Sequence, residues 1–430
     1  MPLPLFAIYL HLAIGRKIPY NGGDISERKK GGCAMHLSAK RVEAHYAAVQ
    51  GTYWASNCTL RGLMAVFLSF HGLSDAQIGY TSSLIYFCTI SLSLLLSAWA
   101  DKHPLTPLKR TITALYVLAL AAAGIMYLLP LPVLLMMVVY SLNCCFHNSA
   151  DSILNALMMQ YADNGIPARY GWPRGVGSIT YAAMAYVLGV LMERYDPNII
   201  LPVFLALCTA SLGALLLMPD PGPRKLKEQT PHKISYREML RSNPTLVLLL
   251  LACIISGMGQ CAGTTYLIRV VERLGGTSEE LGLAMFIQAG VELPMMFASS
   301  WLLKRFTARG LLTLSFFANG LKLLMLNLAP SLPALYLIMV FSLFCFGIYG
   351  FASVLFVNSI ARGQEKVRAQ SLLSLCYTGG LGGILGNLLS GALIGVIGLT
   401  NLLYLSAGLC LAGAVVMALC ARQYHKQFLQ

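Results

Sequence analysis

From residue 47 onward the chain alternates between apolar segments of about twenty residues or more and short polar connections. The segments lie near 47–70, 76–100, 109–129, 132–160, 172–193, 197–218, 244–268, 279–304, 309–329, 332–360, 367–396 and 400–422. A helix of ~20 apolar residues crosses the hydrocarbon core of a bilayer. In lipid every backbone N–H and C=O needs an internal partner, so such segments cross as helices. The pattern therefore predicts an all-α integral membrane protein with twelve transmembrane helices. Many connections are very short, as at Leu129-Pro130-Leu131-Pro132 and Ile397-Gly398-Leu399-Thr400, and short turns make consecutive helices antiparallel. The longest connection, 219–243, is polar, basic and proline-containing, and it divides the segments six and six. The expected organisation is a tail over 1–46, a six-helix bundle over 47–218, a linker over 219–243, a second bundle over 244–422 and a short tail over 423–430.

Composition sharpens this picture. Hydrophobic residues make up 57% of the 430 and charged residues only 11%, against about 25% in a soluble domain. The net charge of +14 raises the question of a nucleic-acid partner, but the basic residues form no single patch. They recur in alternate connections, among them Lys40 and Arg41, Lys102, Lys109 and Arg110, Arg224 to Lys233, and Lys304 and Arg305. The opposite connections hold Arg194, Arg269 and Arg273. Positive charge stays on the cytoplasmic side. This places both termini and the linker in the cytoplasm and the chain, as a monomer, in a bacterial plasma membrane. The twelve cysteines show no CxxC spacing and no His/Cys ligand array, so no metal and no cofactor is expected.

The first 34 residues do not match the rest. Leu3 to Ile14 is too short to span and lacks the leading basic stretch of a signal peptide. Gly31-Gly32 can be encoded as GGA-GGN, which contains a bacterial ribosome-binding sequence just upstream of Met35. The natural start is thus expected at Met35.

Polar residues inside the segments are few, and charges there mark function by default. Asn57 and Arg61 share a helical face in segment 1. Asn148, Asp151 and Asn155 share one in segment 4, with His147 beside it. Arg174, Ser178 and Tyr181 do so in segment 5, Ser256, Gln260 and Thr264 in segment 7, Gln288 and Glu292 in segment 8, and Asn319 and Lys322 in segment 9. Six helices from both bundles thus carry a polar strip, which predicts a central cavity between the bundles. Structural hydrogen bonding is the competing reading for the amides and for His147, and a fixed Arg61–Asp151 ion pair for those two. Glu292 and Lys322 lie deepest. Desolvation and a nearby cation act on a buried carboxyl in opposite directions, so Glu292, and with it Asp151, is a candidate proton carrier. In "YTGGLGGILGNLLSGALIG", from Tyr377 to Gly395, small residues recur four apart, which lets helix backbones approach closely.

Several stretches together resemble the major facilitator superfamily. "SAWADKHPLTPLKR", from Ser97 to Arg110, is similar to its cytoplasmic gating motif, with Asp101, Lys102, Lys109 and Arg110 at matching positions and Ser97 in place of glycine. "SSWLLKRFTARG", after segment 8, keeps Lys304-Arg305 without the acid. "RYGWPRGVGSITYA" and "AGVELPMMF" resemble segments 5 and 8 of the lactose permease and phenylpropionate permease branch. The resemblance implies two six-helix bundles around a midplane site that is exposed alternately to each side. It further implies a substrate-binding role for Arg174 and a functional role for Glu292, and it sets Lys322 where the branch often has arginine. Segment 10 lacks the His/Glu pair of the lactose permease and offers Tyr349, Ser353 and Asn358 instead.

The expected function is secondary active transport of a small organic solute, namely a sugar or glycoside, a nucleoside or an aromatic carboxylate, by proton symport. The expected substrate-binding set is Arg174, Glu292, Lys322, Asn57, Arg61, Asn148, Asn155, Gln260, Gln288 and Asn319. The alternatives are a proton-coupled efflux antiporter of the same fold and a non-transporting membrane sensor. A membrane-embedded enzyme would need a metal cluster such as HExxH or a nucleophile with its base, and the sequence holds neither.

Overall fold

The computed structural model describes residues 39–103, 106–166, 168–222, 236–361 and 365–428. The start at Met35, most of the linker and the side chain of Asp101 lie outside the described residues. The described chain is helical. In the N-terminal bundle the helices are α1 (Ala39–Arg61), α2 (Met64–Phe70), α3 (Asp75–Lys102), α4 (Leu108–Leu128), α5 (Val133–Asp163), α6 (Gly171–Arg194) and α7 (Ile200–Leu217). The linker carries α8 (Tyr236–Ser242). The C-terminal bundle holds α9 (Pro244–Thr265), α10 (Leu267–Arg273), α11 (Ser278–Arg305), α12 (Ala308–Asn327), α13 (Leu332–Val340), α14 (Phe346–Ile360), α15 (Glu365–Cys376) and α16 (Leu381–Phe428).

Among the described residues, nine helical stretches are long and apolar enough to cross a membrane. The twelve expected segments are consistent with this. Segments 11 and 12 run on as one stretch, turned at Gly398, whose φ of 74° suits a residue without Cβ. Segment 1 is less apolar than these stretches. Segment 1 is divided at Gly62-Leu63 between α1 and α2 and carries Gln50, Asn57 and Arg61, while segment 8 carries Gln288 and Glu292.

Local sequence fixes the helix starts. Ser74 caps α3 through a reciprocal pair in which Gln77 Oε1 accepts from the Ser74 N–H at 2.9 Å. Thr277 and Glu280 form the same box at α11. Asn243 caps α9, with Pro244 in the first turn, where its missing N–H costs nothing. Lys109 of the gating motif donates to the carbonyls of Leu216 at 2.9 Å and Met218 at 2.5 Å, at the C-terminal end of α7. It therefore also serves as a helix cap within its own bundle.

The two bundles meet closely at one end. A Cβ on Gly282 of α11 would lie 2.5 Å from the Ala185 carbonyl oxygen of α6, and a Cβ on Gly79 of α3 would lie 2.6 Å from Gly391 Cα of α16. Only the absence of a side chain allows these approaches. At the same end Arg269 of α10 binds Asp75 of α3 at 2.7 Å and Ser69 at 2.7 Å, and the Tyr266 hydroxyl donates to the Asp75 carbonyl at 2.8 Å. Toward the other end α6 and α11 diverge, and open space surrounds the missing Cβ of Gly175 and of Gly290.

Replacing Gly282 by Val forces α6 and α11 apart at the closed end. Overpacking of this kind costs about 1–3 kcal/mol. The purified variant is expected to melt several degrees below the parent, and an unchanged melting temperature would show that the two helices do not depend on this contact.

Candidate functional site

Between the bundles lies a cavity of about 380 Å³. Asn57, Arg61, Gln260, Gln288, Glu292, Asn319 and Lys322 of the expected set line it, and so does Tyr181. They come from α1, α9, α11 and α12 and from α6, on both sides of the molecule. The polar strips of segments 1, 7, 8 and 9 thus converge on one space.

The C-terminal wall has a definite order. Lys322 Nζ of α12 donates to Gln288 Oε1 of α11 at 2.9 Å. Asn319 Nδ2 donates back to the Ser315 carbonyl at 3.0 Å. Glu292, one turn beyond Gln288, lines the cavity with no hydrogen bond and no ion pair among the described residues. Lys322, whose charge acts on Glu292, makes its hydrogen bond to Gln288 instead. On the N-terminal wall Arg61 donates to the Tyr86 hydroxyl of α3 and sits over the same ring, 4.8 Å from its centroid. The expected alternative of an Arg61–Asp151 ion pair is not formed.

Three members of the expected substrate-binding set, and the proton-carrier candidate Asp151, stand apart from the lining. Asn148 Oδ1 accepts from Asn57 Nδ2 at 2.8 Å and so holds a cavity residue in place. Asn155 Oδ1 accepts from the hydroxyls of Tyr46 and Tyr170, both at 3.0 Å. Arg174 stacks over the Trp54 ring at 4.2 Å and reaches Ser178 at 3.2 Å. Trp54 itself lines the cavity and donates to Gln50. Arg174 thus backs the wall through an aromatic ring. Asp151 is buried in the N-terminal bundle.

Sequence reasoning missed Trp54, Tyr86, Ser342, Cys345 and Thr378 as lining residues. Trp54 shares a helical face with Asn57 and Arg61, at three and seven residues, so periodicity could have found it. The last three sit at helix interruptions. Ser342 belongs to a short 3₁₀ stretch, Phe341–Phe344, and Cys345 separates it from α14. Thr378 lies in the turn between α15 and α16. The carbonyls freed by such breaks need partners at membrane depth. The Tyr140 hydroxyl donates to the Leu60 carbonyl just before the break in segment 1, and Ser315 Oγ adds a second donor at 2.7 Å to the Cys345 carbonyl, which also accepts from the Tyr349 N–H at 3.1 Å.

The comparisons with known proteins agree with this geometry. A family model described as "MFS_1 like family" matches residues 47–405. The chain belongs to this family, within the major facilitator superfamily. The maltose permease of Geobacillus stearothermophilus is 29% identical over 280 residues, covering 64% of this chain and 68% of that protein. An uncharacterized transporter of Bacillus subtilis strain 168, YwbF, is 22% identical over 305 residues, covering 69% and 73%. Among solved structures, the nucleoside transporter NupG aligns with a TM-score of 0.72 at 16% identity, covering 89% of this chain and 99% of that one. A bacterial homologue of the lysosomal transporter Spinster, in an inward-facing form, aligns at 0.65 and 16% identity, covering 91% and 97%. At such identities the structural likeness establishes the fold. The major facilitator fold expected from the sequence is therefore observed. This family member is a multi-pass membrane protein of the transporter class and not an enzyme, with a small-molecule solute as its cargo.

Tyr86→Phe keeps the ring beneath Arg61 and deletes the hydrogen bond. A hydrogen bond to a charged group contributes about 1.5–3 kcal/mol, and exposure of Arg61 to the cavity reduces this toward the lower end. The expected outcome is a loss of about 1 kcal/mol in denaturant unfolding. Unchanged stability would show that the guanidinium gains nothing from the hydroxyl.

Proposed function

We propose that this protein is a proton-coupled uptake carrier, a monomer of the lactose permease and phenylpropionate permease-like branch, that moves a small organic solute by alternating access. One observation carries the reading: Glu292 faces the cavity without a hydrogen bond among the described residues, while Lys322 is bound to Gln288. A carboxylate at membrane depth is costly when unpaired. It is relieved by a proton or by a donor group on the solute, and a site that accepts either can link the two. Protonation and solute binding then bias one conformational equilibrium, each by its differential affinity for the two forms.

Orientation follows from the positive-inside distribution. The end closed by Asp75 and Arg269 is then extracellular, and the cavity opens to the cytoplasm. Asp151, away from the cavity, is the candidate for a second proton site.

A sugar or glycoside is the favoured solute. Trp54 and Tyr181 offer ring faces in T-shaped contact at 6.2 Å, and Asn57, Gln260, Gln288 and Asn319 offer amides that both donate and accept. Similarity to a maltose permease supports the same class. A nucleoside or an aromatic carboxylate is the expected remainder, the latter favoured by the Arg61 guanidinium.

The test is uptake into vesicles under an imposed proton gradient, with a panel containing maltose, a β-galactoside, uridine and phenylpropionate. For the accepted solute, Glu292→Gln is expected to abolish accumulation while solute-for-solute exchange persists. Undiminished accumulation in that variant removes Glu292 from coupling. Extrusion rather than uptake under the same gradient replaces the symporter by the efflux antiporter.

A further inference from the structure

The charges that face the cavity do not balance. Among the described residues its lining holds two cations, Arg61 and Lys322, and one carboxylate, Glu292. The cavity therefore carries one excess positive charge with Glu292 ionised, and two once Glu292 takes up a proton. Charges in a site surrounded by hydrocarbon are costly unless they are paired. Arg174 is balanced elsewhere. It lies behind Trp54, and its charge acts on the Asp151 carboxylate within the N-terminal bundle.

Of the two cavity cations, Arg61 is the one without an acid beside it. Lys322 stands on the same wall as Glu292, and their charges act on each other. The groups that bear on Arg61 are the hydroxyls of Tyr86, Tyr181 and Tyr53 and the thiol of Cys144. Such groups are uncharged at neutral pH. Arg61 makes no ion pair among the described residues, and its hydrogen bond goes to the Tyr86 hydroxyl. It is exposed to the cavity. A guanidinium presents a planar fork of donors that matches a carboxylate better than it matches a phenol. Trp54, Asn57 and Tyr181 line the same space, with Asn57 one helical turn and Trp54 two turns from Arg61.

We propose that the solute is an organic anion whose carboxylate binds the Arg61 guanidinium. A single negative charge there neutralises the cavity while Glu292 is ionised and lowers its charge when Glu292 is protonated. The inference rests on the reading of this protein as a carrier of a small organic solute, and it narrows the cargo. With the sugar that the rings and amides favour, the cargo is a sugar acid. Its body then lies against Trp54, Asn57 and Tyr181. The amides both donate and accept, so they serve neutral and acidic solutes alike, and Arg61 makes the distinction by charge.

Thermal stabilisation of the purified full-length protein measures binding without transport or coupling. The probes are matched pairs: maltobionate and maltose, phenylpropionate and phenylpropanol, uridine 5′-carboxylate and uridine. In the pair that binds, the acid is expected to bind about tenfold tighter than its neutral partner, the contribution of a hydrogen bond between charged groups. Arg61→Gln is expected to erase that difference and to leave the affinity for the neutral member unchanged. Arg61→Lys keeps the charge without the fork and is expected to retain part of it. Equal or tighter binding of the neutral member in the parent overturns the proposal. So does an acid preference that persists in Arg61→Gln, binding of none of these probes, or equal stabilisation by sodium acetate, an adventitious ion only. The scaffold that binds tests the sugar reading, and accumulation under a proton gradient tests coupling. Neither result alters the comparison within a pair.

Discussion

Hydrocarbon offers no hydrogen bonds, and the architecture of this protein is arranged around that fact. Each backbone polar group at membrane depth has to find its partner inside the chain. Helices meet the requirement by themselves, which is why the apolar segments fold as they do. Wherever a helix is interrupted the requirement returns, and a side chain can meet it, as the Tyr140 hydroxyl does for the Leu60 carbonyl. Side-chain polar groups obey the same rule. The tyrosines, amides and guanidinium of the N-terminal bundle are tied into chains such as Trp54–Gln50–Tyr46–Asn155. The groups left over are therefore informative. Glu292 lines the cavity without a hydrogen bond among the described residues.

The same constraint explains how a largely apolar molecule builds a polar cavity. Several of the helices that line it are interrupted. Segment 1 divides immediately after Arg61, segment 10 passes through a 3₁₀ stretch at Ser342, and segment 11 turns at Thr378. Interrupted helices are tolerated in membranes where they border protein or a water-accessible space. The closed end has the opposite character. There glycines bring α6 against α11 and α3 against α16, and Arg269 binds Asp75 across the bundles. Close backbone contact thus marks one end of the seam between the two bundles.

Comparison with relatives supports this division of labour. The family model extends over residues 47–405, while the solved structures that share the fold are 16% identical or less in the cases compared. Apolar periodicity and short turns suffice to keep the fold at such distances. Cargo depends on a handful of side chains on the cavity wall, which is why the fold alone leaves the solute to experiment.

By itself the sequence determined the helices, their approximate limits, the membrane class and the superfamily. Length and apolarity decide whether a segment crosses a bilayer, and both are properties of consecutive residues. It also pointed to seven cavity residues, Asn57, Arg61, Gln260, Gln288, Glu292, Asn319 and Lys322, because a charge or amide inside an apolar run has to face an interior. Only the tertiary structure decided which partner each one takes. Lys322 binds Gln288 and leaves Glu292 open, Arg61 binds Tyr86 and not Asp151, and Arg174 acts through Trp54. These choices depend on distances between helices far apart in sequence, and periodicity along one helix carries no information about them. That Ser342, Cys345 and Thr378 reach the wall is likewise decided by how the helices pack around the cavity.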